Sequence, residues 1–276
     1  MADKSHEGLK WVMRAGYGAR GAIYVLVGIL ALWAALYQGE ASGTKDALVT
    51  LREKSWGVPA LWGIGLGLFG YMIWRVVAGI ADVEDHGTDG KGLIARAGQV
   101  TTGVLHGLIG LSVISLAMGD SGSGGGAQDW TQRIMEMPGG RWIVGIGALI
   151  LLGAGIYYVQ KGWRGKYKDH LQGSRTTAEL DPVLKGGLIV YGALLGLVAL
   201  SIFYAALTAD PSQAGGLGQA LSDLRGAAYG RILLGIAALG LIAFALYNFV
   251  EAAYRVVPKI NGTDVTTLRG KLKQMS

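Results

Sequence analysis

The chain has 276 residues, of which 51% are hydrophobic and 16% charged, and its net charge is +6. Soluble domains carry about a quarter of their residues as charges, and with 47 Gly against 5 Pro this is not a Pro-rich disordered chain either. The absence of Cys excludes disulfides, Cys-ligated zinc, iron–sulfur clusters and thiol catalysis.

A helix needs roughly 20 apolar residues to cross a hydrocarbon core of about 30 Å. The first stretch approaching that length is Gly21–Gln38, with Arg14 and Arg20 before it and small residues at Ala41 and Ser42 after it. That outline resembles a signal peptide, but the segment recurs later in the chain, which argues against cleavage. The second stretch is Ser55–Trp74, continued past Arg75 to Ala81. An acidic turn follows, with Asp82, Glu84, Asp85, His86 and Asp89. It has oxygen ligands for a hard cation without the spacing of a loop motif, so it reads as solvated. The third stretch is Ala97–Gly119. The Gly/Ser run Ser121–Gly126 reads as a flexible loop, since no Lys-Ser/Thr follows to make a phosphate cradle. Trp142–Gln160, Gly186–Ala209 and Ile232–Val250 complete six stretches without an acidic residue, Lys or Arg. All are apolar on every side and too long for barrel strands.

The six form three copies of one unit. Arg14-Ala15-Gly16, with Gly21 and Gly28, matches Arg96-Ala97-Gly98 with Gly103 and Gly110, and then Lys185-Gly186-Gly187 with Gly192. The even-numbered stretches follow Trp56-Gly57, Gly140-Arg141-Trp142 and Tyr229-Gly230-Arg231. Between the two stretches of each unit lies a short amphipathic piece: Lys45–Leu51, Asp129–Met135 and Gln219–Leu224. Each is expected to be a helix lying in the interface. The expected fold is therefore all-α, a polytopic membrane bundle of six transmembrane helices in three parallel two-helix repeats. The repeats cover residues 9–92 (spans 21–38 and 55–81), 93–176 (spans 97–119 and 142–160) and 180–261 (spans 186–209 and 232–250), with a basic tail over 262–276 that is flexible or surface-bound. An even number of spans per unit makes the repeats parallel, which suggests a pseudo-threefold axis along the membrane normal.

Of the 25 Lys and Arg residues, 18 fall on the side that holds both termini. The positive-inside rule places that side in the cytoplasm, and this distribution accounts for the net charge better than nucleic acid does. Trp11, Tyr17, Tyr37, Trp56, Trp142, Tyr157, Tyr158, Trp163 and Tyr254 stand near span ends as interface anchors, whereas Trp33, Trp62 and Trp74 lie further in.

The run Arg14-x-Gly16-Tyr17-x-Ala19-Arg20-Gly21-x-Ile23-Tyr24 with Gly28 resembles the opening of a bacterial membrane family known as domain of unknown function 1206. So does Gly67-Leu68-x-Gly70-Tyr71-x-x-Trp74-Arg75 with Asp82. The second unit has Gln99, Thr102 and His106 where the first has Tyr17, Arg20 and Tyr24; the third has Tyr191 in place of Arg20. The resemblance implies three tandem two-helix units and a bacterial inner-membrane location. It supplies no activity.

Ionisable groups inside a span are costly and mark candidate sites. Arg20, Arg75, Gln160, Glu251 and His106 are the polar candidates. Snorkelling is expected to carry Arg20 and Arg75 to the headgroups; the alternative is an inter-helix pair, such as Arg75 with Asp82 or Asp85. Glu251 and Arg255 have the spacing of a helical pair. Aligned by the aromatic runs that end the even spans, Arg75, Lys161 and Glu251 would ring one depth, with Arg75 approaching Glu251. Lys161, Arg164, Lys166 and Lys168 are expected to meet anionic headgroups, at roughly 1 kcal/mol each. His106 has no second histidine in any span to complete a haem site, and Met72 and Met118 are poor substitutes, so a packed or hydrogen-bonded histidine is expected. No nucleophile–base pair stands out. The expectation is a non-enzymatic membrane protein without cofactor or metal, an accessory or complex component. Its partners would be the lipid bilayer and other membrane proteins or a second copy, with no nucleic acid. The alternative is a small transporter or channel with a path between the repeats.

Overall fold

The computed structural model describes residues 2–37, 43–120, 127–257 and 266–275. The Gly/Ser run 121–126 lies outside the described residues. Six helices are long and apolar enough to cross a membrane: α1 (Ala2–Tyr37), α3 (Gly57–Ala81), α4 (Gly90–Ala117), α6 (Gly140–Trp163), α7 (Arg175–Thr208) and α9 (Gly230–Tyr254). The three amphipathic pieces are short helices, α2 (Thr44–Arg52), α5 (Ala127–Met135) and α8 (Leu217–Gly226), all on the face opposite the termini. Many large apolar side chains point outward, among them Ile80, Ile109, Ile146, Ile150, Leu200 and Ile236. In water so much exposed apolar surface would drive aggregation; in lipid it faces its own kind of solvent.

Each unit reverses direction in the same way. After the short helix the chain turns within a few residues, and Gly57, Gly140 and Gly230 donate to the carbonyls of Lys54, Met137 and Ala227 at 2.8, 2.9 and 2.9 Å. A Cβ on these glycines would stand 1.8, 1.7 and 1.8 Å from the carbonyl oxygens of Leu51, Ile134 and Arg225. Only Gly fits so close an approach.

This shared landmark fixes the register of the second spans, α3, α6 and α9, and corrects the sequence alignment. Counting from the glycines, Arg75 is matched by Tyr158 and Asn248, whereas Lys161 and Glu251 are matched by Ala78. Arg75, Lys161 and Glu251 therefore do not ring one depth. The slip is three residues, nearly one helical turn, because the aromatic runs that suggested it end at different heights.

The helices pack in the order α4, α3, α1, α9, α7, α6. The second span of each unit packs along the first span of the next: α3 on α4, α6 on α7, α9 on α1. Each of these pairs is pinned by an arginine on the last carbonyls of its partner. Arg96 donates to Gly79 and Ile80 (2.7 and 2.8 Å), Arg141 to Leu207 (2.9 Å), and Arg231 to Ala35 and Leu36 (3.0 and 2.9 Å). A cation at a helix C-terminus satisfies orphan carbonyls and opposes the negative end of the dipole. Glycines allow the close packing: a Cβ on Gly16 would meet the Tyr71 backbone, and one on Gly187 the backbone of Ala243 and Phe244.

The threefold pattern is broken once. α1 packs on α3 and α7 on α9, but among the described residues the two spans of the middle unit, α4 and α6, lack packing of that extent. They are also the least buried of the six, which leaves a seam between them.

The termini face is covered by structure rather than by a loose tail. The loop after α6 and the segment after α9 lie side by side: Gln172 N donates to Tyr254 O (2.8 Å), Val256 N to His170 O (2.8 Å), and Leu268 N to Leu171 O (2.7 Å). A last helix, α10 (Leu268–Met275), buries Leu268 and ties Arg269 to Asp169 and to the Gly165 carbonyl. Of the two expectations for the tail, flexible or surface-bound, residues 266–275 follow the second, held on the termini face of the bundle itself; residues 258–265 lie outside the described residues.

Candidate functional site

The bundle interior divides into two halves. Toward α2, α5 and α8 it is filled by Val27, Ala31, Leu61, Leu68, Leu194, Leu234, Ala238 and Leu241, all buried. Toward the termini, polar side chains from all six long helices meet. The residues that differ among the repeats at the positions of Arg20 and Tyr24 lie here.

Arg20 stands at the centre and is only 3% exposed. Its Nη1 donates to the Tyr71 hydroxyl (3.2 Å), and its Nη2 to the hydroxyls of Tyr158 (3.2 Å) and Tyr191 (3.3 Å). Tyr24 and Tyr191 share a hydrogen bond of 2.9 Å. The guanidinium lies 5.0 Å from the Phe244 ring centroid and 5.4 Å from that of Tyr71, within cation–π range. Tyr191 and Phe244 stack with centroids 3.7 Å apart, so α7 and α9 form one wall of this aromatic box. His106 packs against Tyr71 at 4.8 Å, and its Nδ1 lies 2.8 Å from the Thr102 carbonyl. A carbonyl only accepts, so Nδ1 carries the proton and Nε2 is left as an acceptor. Among the described residues no carboxylate pairs with Arg20, and its Nε has no partner.

Below the box, toward the termini, runs a chain of charged side chains. Lys161 Nζ donates to the Tyr247 hydroxyl (2.8 Å), Tyr247 donates to Glu251, and Glu251 accepts from Arg255. Arg255 Nη2 donates to Glu84 (2.6 Å). Glu84 also accepts from Gln99 Nε2 (2.7 Å) and lies 3.9 Å from Arg75. Glu84, Glu251 and Arg255 are all buried. Burial works against the Glu84 carboxylate, yet Arg255, His86 and Arg75 hold it well below the usual carboxylate range. His170, in the covering loop, is pushed down to about 4 by burial and by the nearby charges of Arg255 and Lys161. Among the described residues four cations (Arg20, Arg75, Lys161 and Arg255) face two carboxylates, Glu84 and Glu251, so these side chains carry surplus positive charge.

Several expectations are revised by this geometry. Arg20 does not snorkel; tyrosine hydroxyls hold it inside. Arg75 does not pair with Asp82 or Asp85, and it meets Glu251 only through Glu84 and Arg255. Lys161 turns inward to Tyr247 rather than out to headgroups, and Lys168 is engaged with Asp181 at 2.7 Å. Arg164 and Lys166 are exposed and free to meet lipid. Gln160 is exposed and takes no part in the centre. Tyr17 and Tyr158, read as interface anchors, face inward, as does the fully buried Trp74, while Trp33 is 61% exposed. The acidic turn is not wholly solvated. Asp82 accepts from the backbone of His86 and Gly87, Asp89 caps α4 at Gly92, and Glu84 points into the bundle. From sequence Glu84 reads only as one acid of a solvated turn and Gln99 only as a difference between units, and Tyr247 and Asn248 are given no role in a site. Nothing in the sequence around Glu84 separates it from the other acids of that turn.

Fold and centre together define a class: a six-helix bundle of three tandem two-helix units whose polar residues gather in one half. The chain belongs to the family described as Domain of Unknown Function (DUF1206), whose profile matches residues 15–82, 97–165 and 186–255. Each match begins inside the first span of a unit and ends within two residues of the end of its second span. The chain is also similar to an uncharacterized protein of Bacillus subtilis (strain 168), YxxB, with 29% identity over 262 residues, covering 92% of this chain and 95% of that one. No solved structure matches it.

Proposed function

We propose that this chain is a non-enzymatic, non-conducting accessory protein of the bacterial cytoplasmic membrane, with both termini in the cytoplasm. The observation that carries the reading is the division of the interior. A path along the axis would need polar groups at every depth, but the half toward α2, α5 and α8 is packed with Val, Ala and Leu. The polar groups of the other half bond to one another across the units, Arg20 to Tyr158 and Tyr191, Lys161 to Tyr247, and Arg255 to Glu84. They act as clasps between repeats. The orientation rests on the excess of Lys and Arg on the termini face. The outward apolar faces of α4 and α6, the least covered of the six, are where another membrane protein or a second copy would pack.

The test is flux through proteoliposomes of the purified protein, with potassium, protons, chloride and small zwitterions. The reading predicts rates equal to protein-free vesicles. Flux that scales with protein content and disappears in a Tyr24→Trp variant would establish a path through the centre and overturn it.

A further inference from the structure

Three features of the Arg20 centre point the same way. The first is charge: the guanidinium has only neutral hydroxyl partners among the described residues, and Arg75 adds a second cation held by one ion pair of 3.9 Å. A buried cation without a counter-ion is costly. The second is hydrogen-bond polarity. The hydroxyls of Tyr71 and Tyr158 accept from Arg20 and keep protons of their own with no acceptor among the described residues. One proton of the Tyr24–Tyr191 pair and the Arg20 Nε–H are in the same position. His106 Nε2 aside, the box therefore offers more donors than acceptors. The third is access. Tyr158 of α6, bonded to Arg20, and His106 of α4, packed on Tyr71, keep accessible surface around a guanidinium that is almost fully buried; Thr102, partly exposed, lies one turn before His106, and all three sit on the two helices that fail to close the ring.

We propose that the seam between α4 and α6 admits an acidic phospholipid whose phosphate is held by Arg20 and the surrounding tyrosine hydroxyls. A phosphate brings the negative charge and the acceptor oxygens that the box is short of. Basic pockets between membrane helices on the cytoplasmic side are suited to such headgroups. Arg20 immediately precedes the uncharged run Gly21–Tyr37, which sets it near the level of the headgroups. The route decides between a lipid and a free anion. From the termini face the centre is covered by Glu84, Arg255 and Glu251 and by the buried Tyr167, Leu171, Val257 and Leu268. The seam opens sideways, where only a molecule already in the bilayer can enter. The acyl chains would lie along the outward Leu105, Ile109, Leu149 and Ile156.

The experiment is lipid retention on the full chain. Protein is exchanged into nanodiscs of phosphatidylcholine with a minor fraction of phosphatidylglycerol, extracted into mild detergent, and the lipid that remains bound is counted by native mass spectrometry. The expected result is one phosphatidylglycerol per chain, preferred over phosphatidylcholine by about tenfold or more, the scale of one or two charge-assisted hydrogen bonds. Arg20→Gln is expected to abolish the preference. Thr102→Trp, which narrows the seam and leaves every charge in place, is expected to abolish it too, and it covers the case in which Arg20→Gln does not fold. Arg164→Gln with Lys166→Gln at the surface should leave it unchanged. Equal retention of the two lipids, or a preference that survives Thr102→Trp, would overturn the proposal. Displacement of the lipid by millimolar inorganic phosphate would assign the site to a free anion from water and overturn it as well. None of these outcomes depends on whether the protein conducts.

Discussion

Arg255 and Glu84 lie 171 residues apart in the chain and meet at 2.6 Å in the bundle, both buried. Glu84 follows the second span and Arg255 the sixth, so this pair joins the first unit to the third at the termini face. Arg255 also bonds Glu251, and Glu84 also accepts from Gln99 of the second unit. One ion pair thus links all three repeats.

Breaking the pair from one side should be severe. Arg255→Met leaves two buried carboxylates short of a cation, and such losses cost about 3–5 kcal/mol. Thermal unfolding of the purified protein in detergent is expected to show a large drop for Arg255→Met. Adding Glu84→Gln to that variant should cost less than it does in the parent, because the closest cation partner of that carboxylate is already gone and only the longer contact with Arg75 remains. Strictly additive losses would mean that the pair does not act as a unit.

Acidification should loosen the same face. His170 takes its proton only at about pH 4 when folded, against an ordinary value of 6.5. Between these pH values the unfolded chain binds the extra proton, so stability falls as pH is lowered from 6.5 to 4 and then levels off for this group. After allowance for partial exposure, the loss is about 1–3 kcal/mol. Glu84 is shifted below its ordinary 4.5, so its contribution is complete above that value and is lost as pH falls further. Unfolding temperatures measured from pH 7 to pH 4 should decline, and His170→Asn should flatten the decline. A variant that tracks the parent across this range would remove His170 from the account.

The unit junctions offer a comparison within one helix. Gly140→Ala places a methyl 1.7 Å from the Ile134 oxygen, a clash expected to cost about 1–3 kcal/mol. Gly147→Ala, in open space on the same helix, should be neutral or slightly stabilising. Gly57→Ala and Gly230→Ala should resemble Gly140→Ala if the three units share one turn.

The spans, the triplication and the short helices were legible because each rests on local pattern: uncharged length, recurring Gly positions, and amphipathic pieces at matching places. The helices themselves run further than the uncharged stretches. α1 and α7 extend well toward the termini face through charged residues, which hydropathy alone stops short of. The centre was less legible. Arg20 and Arg75 stood out as charges near apolar runs, but a guanidinium has two ways to avoid lipid, outward to water or inward to hydroxyls, and the choice depends on Tyr158 and Tyr191 from other units. Glu84 was hidden among acids that do face solvent or cap backbone, and its partner comes from the far end of the chain. The register of α3, α6 and α9 slipped because their ends were aligned by aromatic side chains. The backbone feature that fixes it, the close turn at Gly57, Gly140 and Gly230, lies at their starts.

Because the chain has no Cys, single cysteines can report which side of a membrane each face occupies. The central claim is that six helices cross the bilayer as three parallel units. Cysteines are placed one at a time at the exposed Lys45, Gln132 and Gln219 on α2, α5 and α8, and at the exposed Thr88 and Lys166 on the termini face. A membrane-impermeant maleimide applied to intact cells should label the first three together and leave Thr88→Cys and Lys166→Cys unlabelled until the membrane is opened. Labelling that divides α2, α5 and α8 between the two sides, or that reaches all five positions from outside, would contradict the parallel triplet.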